Sequence, residues 1–354
     1  MPESTAKFRT IDRPFAAYWG RSVALIALLA HTYAVNAQPS ADIAYLSGAR
    51  YNDLIVCVLH VGSDAVDVVG TGQRDGRPMW SPDGEWLAHT FDHDGERRIR
   101  IVKANGADAI ILPSPGGPAR HPRWSPDGNR IAFIAGPPNA EQIFVYDRNT
   151  KTIERWGSGN PALLQPAWVS DDRLVAVGRI GKPGSQTTDL FWVTQTRADR
   201  IDDALPDHGK YFEWAPSSPG IGEFLAFESD DGGDREIIVY APQRGAIDVS
   251  NHRAADWNPR WSPDRRNIAF ESFRGGHRGI YQVNALRVLV NTVSAPENAN
   301  AWDPNWSPDG DWIVYVSDLN GAADLFATRS NGEETVQLTN TPGLQLAPAW
   351  RPVR

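Results

Sequence analysis

Trp80, Trp124, Trp168, Trp214, Trp261, Trp306 and Trp350 stand 44, 44, 46, 47, 45 and 44 residues apart, and one phrase recurs around them. It reads Arg77-Pro-Met-Trp-Ser-Pro-Asp-Gly, then His121-Pro-Arg-Trp-Ser-Pro-Asp-Gly, then Asp303-Pro-Asn-Trp-Ser-Pro-Asp-Gly; Asn258-Pro-Arg-Trp-Ser-Pro-Asp ends in Arg265 instead. Gln165-Pro-Ala-Trp-Val-Ser-Asp-Asp is a weaker copy, and the one around Trp214 carries an insertion. Ser-Pro-Asp-Gly suits a tight hairpin, because proline presets φ and glycine accepts a positive φ. Apolar strands follow each turn, as in Ile131-Ala-Phe, Ile268-Ala-Phe and Ile313-Val-Tyr, and then a second set, as in Ile143-Phe-Val-Tyr and Ile237-Ile-Val-Tyr. A more polar strand, such as Glu334-Thr-Val-Gln-Leu-Thr, completes the unit.

Four antiparallel strands at this spacing form a propeller blade, which buries its faces only against neighbouring blades. Residues 42–69 hold three strands without the tryptophan phrase, while Ala347-Pro-Ala-Trp350 supplies the phrase with nothing after it. Together they make one blade. The expected fold is therefore all-β, a seven-bladed propeller whose ring closes when the C-terminal strand joins the N-terminal blade. The repeated tryptophans are expected to pack between blades.

This progression of x-P-x-W-S-P-D-G, I-A-F, I-Y-V and L-T resembles the TolB-type propeller repeat, across nearly all of residues 42–353. TolB proteins carry an α/β domain ahead of a six-bladed propeller, whereas about five residues here separate Ala37 from the first strand. The resemblance is thus to the propeller half, and it implies a protein- or peptide-binding scaffold. Prolyl-oligopeptidase-like enzymes use the same repeat beside an α/β-hydrolase domain, but no G-x-S-x-G elbow occurs in this sequence.

Residues 1–37 read as an export signal and 38–354 as the propeller. Lys7, Arg9, Arg13 and Arg21 precede the apolar stretch Val23–Ala30, and Val35-Asn36-Ala37 offers a cleavage site before Gln38. The apolar stretch is well short of the ~20 residues that span a bilayer, so no stable membrane insertion is expected after cleavage. A periplasmic or secreted monomer follows, with a protein or peptide partner in the cell envelope. The formal charge of −8 and the lack of a basic run exclude nucleic acid as a partner. The lone Cys57, in an apolar run, is expected to be buried.

No catalytic constellation, cofactor motif or metal-ligand spacing stands out. Asp92-His-Asp-Gly-Glu96 and Asp230-Asp-Gly-Gly-Asp234 lack the full calcium-loop pattern and read as hairpin turns. Metal-dependent lyases acting on oligogalacturonate also use propellers, with histidines over the channel, and this stays open as an alternative function. One constellation remains. The residue three before each blade tryptophan should stand where the innermost strand begins, on the rim of the central channel. These residues are Arg77, His121, Gln165, Tyr211, Asn258, Asp303 and Ala347. Six of the seven are polar and varied, which points to a binding rim built from Arg77, His121, Gln165, Tyr211, Asn258 and Asp303.

Overall fold

The computed structural model describes residues 39–63, 65–158, 162–181, 187–201, 224–230, 233–241, 244–285 and 288–353. The proposed export signal, Tyr211 and Trp214 lie outside the described residues. Seven sheets form the ring expected from the repeat.

Blade 1 opens with β1 (Ile43–Gly48), β2 (Ile55–Leu59) and β3 (Val66–Val68). Blade 2 holds β4 (Met79–Trp80), β5 (Trp86–His93), β6 (Glu96–Lys103) and β7 (Ile110–Ile111). Blade 3 holds β8 (Ala119–Trp124), β9 (Arg130–Ala135), β10 (Gln142–Asp147) and β11 (Ile153–Trp156). Blade 4 holds β12 (Leu163–Ser170), β13 (Arg173–Ile180), β14 (Thr187–Val193) and β15 (Ala198–Arg200). The described part of blade 5 is β16 (Leu225–Ser229), β17 (Glu236–Ala241) and β18 (Gly245–Asp248). Blade 6 holds β19 (Asp256–Trp261), β20 (Asn267–Ser272), β21 (Gly279–Asn284) and β22 (Val290–Ser294). Blade 7 holds β23 (Ala301–Trp306), β24 (Trp312–Ser317), β25 (Asp324–Arg329) and β26 (Thr335–Gln337). The last strand, β27 (Leu344–Trp350), pairs antiparallel with β1 and completes blade 1.

The repeat phrase acts through its turn and its indole. In four copies the backbone N–H of the fourth turn residue donates to the serine carbonyl: Gly84 to Ser81, Gly128 to Ser125, Arg265 to Ser262 and Gly310 to Ser307, at 2.8–2.9 Å. The aspartate two residues on accepts from the serine hydroxyl, as in Ser262 Oγ to Asp264 Oδ1 at 2.6 Å. The tryptophan then reaches back one blade. Trp80 Nε1 donates to the Ala349 carbonyl at 3.0 Å, Trp124 to Met79 at 3.1 Å, Trp168 to Arg123 at 2.9 Å and Trp306 to Arg260 at 2.9 Å. Each acceptor directly precedes the tryptophan of the blade before, so one link recurs at these four blade junctions, while the Trp350 indole N–H makes no such bond.

Apolar faces fill the space between these links. Ile99 and Ile101 of blade 2 pack with Ile131 and Phe133 of blade 3, all fully buried. Phe270 of blade 6 packs likewise on Val239 and Val249 beside blade 5. Burying a side chain of this size contributes ~1.5–3 kcal/mol, so the inter-blade faces supply the main stabilisation. Cys57 is buried as expected, and burial, then the nearby Asp75 charge, pushes its thiol up to about 11.

The acidic turn in blade 2 is a hairpin. His93 pairs with Glu96 around Asp94 and Gly95, whose φ values are 50° and 81°. Positive φ at both central residues is the two-residue turn that matches strand twist, and aspartate–glycine is its usual sequence.

Candidate binding site at the channel mouth

The rim residues do not begin their strands; they interrupt them. In β8, Arg120 pairs with Ile134 and Arg123 with Ala132, so His121 and Pro122 together oppose Phe133. The same two-against-one count places Gln165-Pro166 opposite Ala176, Asn258-Pro259 opposite Phe270, Asp303-Pro304 opposite Tyr315 and Ala347-Pro348 opposite Tyr45. These are β-bulges, and proline fits there because it has no N–H to give the ladder. The residue before it is left-handed each time: φ is 55° at His121, 45° at Gln165, 55° at Asn258, 61° at Asp303 and 54° at Ala347. Arg77 differs, standing two residues ahead of the short β4.

Bulging turns the rim amide out of its own ladder, and in two blades a buried glutamate accepts it. Asn258 N donates to Glu228 Oε1 at 2.8 Å, and Asp303 N donates to Glu271 Oε1 at 2.7 Å. Each glutamate belongs to the preceding blade. Asn258 Nδ2 also donates to Glu271 Oε1 at 2.7 Å and to Asp303 Oδ1 at 3.3 Å. Arginines offset the carboxylates: Arg235 Nη1 lies 3.2 Å from Glu228, Arg278 Nε 2.5 Å from Glu271, and Arg77 Nη2 2.7 Å from Asp303. Burial holds the Glu271 carboxyl above its ordinary range, while Arg278, Asn258 and the Asp303 amide pull it back down.

Not all of the rim faces water. His121 and Arg77 are exposed and Gln165 is half-buried, whereas Asn258 and Asp303 are only 8% and 6% exposed. These two are parts of a buried hydrogen-bonded network and do not present a water-facing rim.

Blades 2 to 7 together line one cavity of about 810 Å³. Arg77, His121, Gln165, Asn258 and Asp303 all border it. Its wall also holds residues that the sequence reading passed over. Trp257 and Trp302 each precede a rim residue, and Phe273 meets Trp257 edge-on at 5.3 Å between centroids. Arg235 lies 5.9 Å from the Trp257 ring centre and Arg278 lies 5.8 Å from that of Trp302. A legible signal for the glutamates was present: Phe227-Glu-Ser and Phe270-Glu-Ser occur only after the apolar strands of blades 5 and 6.

The described histidines other than His121 lie elsewhere. His60 is bound between Asp42 and Asp67, each at 3.1 Å, and His89 is fully buried beside Asp75. Among the described residues no group of three or more His, Cys, Asp or Glu side chains is gathered as a metal ion requires. No helix among them is long and apolar enough to cross a membrane.

The TolB beta propeller domain family matches residues 205–353. A Chlorobium luteolum protein described as a TolB homolog is 26% identical over 133 residues, or 37% of this chain; the match spans 30% of that relative's length. Among solved structures, TolB from Acinetobacter baumannii superposes with a TM-score of 0.61 at 17% identity, covering 93% of this chain and 71% of that one. The propeller domain of the Trilobed protease from Pyrococcus furiosus gives 0.66 at 11% identity, covering 86% and 96%. An acylaminoacyl peptidase from Pyrococcus horikoshii gives 0.64 at 13% identity, covering 86% of this chain and 51% of the peptidase. At such identities the structural likeness speaks for the fold, which peptidases and TolB share. Repeat, family match and ring together show a seven-bladed β-propeller whose repeat is similar to that of TolB.

Proposed function

We propose that the protein is exported and works in the periplasm or outside the cell as a monomeric binding scaffold, holding a peptide or exposed segment of an envelope protein in its channel mouth. The observation that carries this reading is the cavity wall, where Trp257 and Trp302 are each overlain by an arginine. Tryptophan and arginine in concave, partly desolvated positions are the residues that dominate protein recognition energetics. Tryptophan supplies large contact area with few rotors to freeze, and the preorganised arginine fork supplies directed hydrogen bonds. The TolB likeness supports a scaffold role, and the signal-like residues 1–37 support export.

Capture from envelope extract tests the site. The combined change of His121, Gln165 and Trp257 to alanine should abolish capture while the melting curve keeps its cooperative shape. Capture that persists in this variant would move the binding surface to the side or base of the disc. N-terminal sequencing tests export: the secreted chain should begin near Gln38, and a chain starting at Met1 in the cytosol would contradict it.

A further inference from the structure

The cavity is electrically lopsided, and the ladder shows why. In β20 the residue paired with Trp257 is Glu271, which neutralises Arg278. Glu228 does the same for Arg235 in blade 5. At the matching ladder position blade 3 has Ile134, paired with Arg120, and blade 4 has Val177, paired with Leu164. The carboxylate floor is thus replaced by an apolar one on this side, while the arginines remain. Arg179 lies 3.4 Å from Glu141 and 3.0 Å from Asn139 Oδ1, and Arg120 forms no ion pair with any described residue. Among the described residues the lining holds five arginines against four carboxylates, in a chain whose formal charge is −8. The surplus positive charge sits at blades 3 and 4, beside the half-buried Leu164, which is backed by Ile134 and Val177.

From this asymmetry we infer that the blade 3–blade 4 side of the mouth is a subsite for a carboxylate carried next to an apolar side chain. Arg120 and Arg179 take the carboxylate, and Leu164 with its neighbours takes the side chain. Arginine forks match carboxylate oxygens, and such bonds strengthen where walls exclude water. The C-terminal residue of a peptide presents this pairing directly, and an acidic residue beside an apolar one offers the same chemistry. The inference rests on the mouth being a peptide site and names what that site selects.

Three pools of short peptides with randomised upstream positions separate the sources. One ends in leucine with a free carboxylate, the second in leucine carboxamide, and the third in glutamate followed by leucine carboxamide. Binding to the full chain is followed by calorimetry. The free-carboxylate pool should bind at least about tenfold more tightly than the second pool, the size of one charge-assisted contact. A matching gain for the third pool would assign the carboxylate to a side chain. Arg120→Gln and Arg179→Gln should each erase the preference, and Arg120→Lys should restore part of it, with melting unchanged in both Arg120 variants. Equal binding of all three pools would overturn the subsite while leaving the peptide reading in place. A preference that survives both glutamine variants would also overturn it. Binding by none of the pools would overturn both.

Discussion

Arg77 donates to Asp303 at 2.7 Å although 226 residues separate them, and the two belong to the blades on either side of composite blade 1. Blade 1 contributes only Ala347 to the rim, so no larger rim side chain stands between them. The pair therefore braces the ring across its point of closure. Asp303→Ala removes an acceptor from both Arg77 and Asn258 and should cost ~1–3 kcal/mol, as losses of charged hydrogen bonds do. His121→Ala, at an exposed position on the same rim, should stay within ~0.5 kcal/mol. Urea midpoints that fall together for the two variants would contradict the distinction.

The ring and its closure were legible in the sequence because the tryptophan phrase does two local jobs, a turn and an inter-blade bond, that need the same residues every time. The rim was legible in position but not in role. Asparagine, aspartate and histidine tolerate positive φ better than most residues. Part of the polar pattern at His121, Asn258 and Asp303 thus answers a backbone demand that spacing alone does not reveal. Glu228 and Glu271 escaped notice because their partners lie in the following blade, 30 and 32 residues away. Tyr211 lies outside the described residues, so its place on the rim is an expectation only.

Trp306 separates packing from hydrogen bonding. Replacing it by alanine opens a large inter-blade void and should cost ~3–5 kcal/mol. Trp306→Phe keeps most of the volume but forfeits the bond to the Arg260 carbonyl, so a loss of ~1–2 kcal/mol is expected. Equal unfolding midpoints for the phenylalanine variant and the wild type would show that the indole N–H contributes nothing.

Gly310 tests the turn. Its φ is 78°, and a Cβ there would meet only Pro263 Cδ at 3.7 Å, an ordinary contact. Gly310→Ala should therefore cost about 1 kcal/mol for conformational reasons alone. Arg265 already holds φ 61° at the equivalent position, which shows that the turn survives such a residue. A Gly310→Ala variant as stable as the wild type would remove the conformational argument.

Buried His89 and half-buried Glu236 should give stability opposite slopes with pH. Burial lowers the His89 pKa from 6.5 to about 4, against the opposing pull of Asp75. The folded chain then binds fewer protons there, so stability is full above pH 6.5 and falls as pH drops toward 4. Glu236 is raised from 4.5 to about 7, chiefly by burial and further by Asp248 and Asp256, against the Ser250 hydroxyl bond. Its contribution is full below pH 4.5 and is lost as pH rises toward 7. His89→Phe, which installs the residue found at Phe133 and Phe270, should expose the falling Glu236 slope. Glu236→Gln should leave the rising His89 slope. Parallel stability profiles for both variants between pH 4 and 8 would refute the assignment.

The bond from Trp80 to the Ala349 carbonyl is the same one that Trp124, Trp168 and Trp306 make to the blades before them. The joint between blades 1 and 2 is thus made as the three others are, whereas the Trp350 indole N–H, facing blade 7, finds no acceptor. A circular permutant that fuses the ends of blade 1 with a linker and opens the chain at the exposed turn after Arg329 would keep these four links, and the junction of blades 1 and 2, where the chain's two ends meet, would bear a mechanical load as the other linked junctions do.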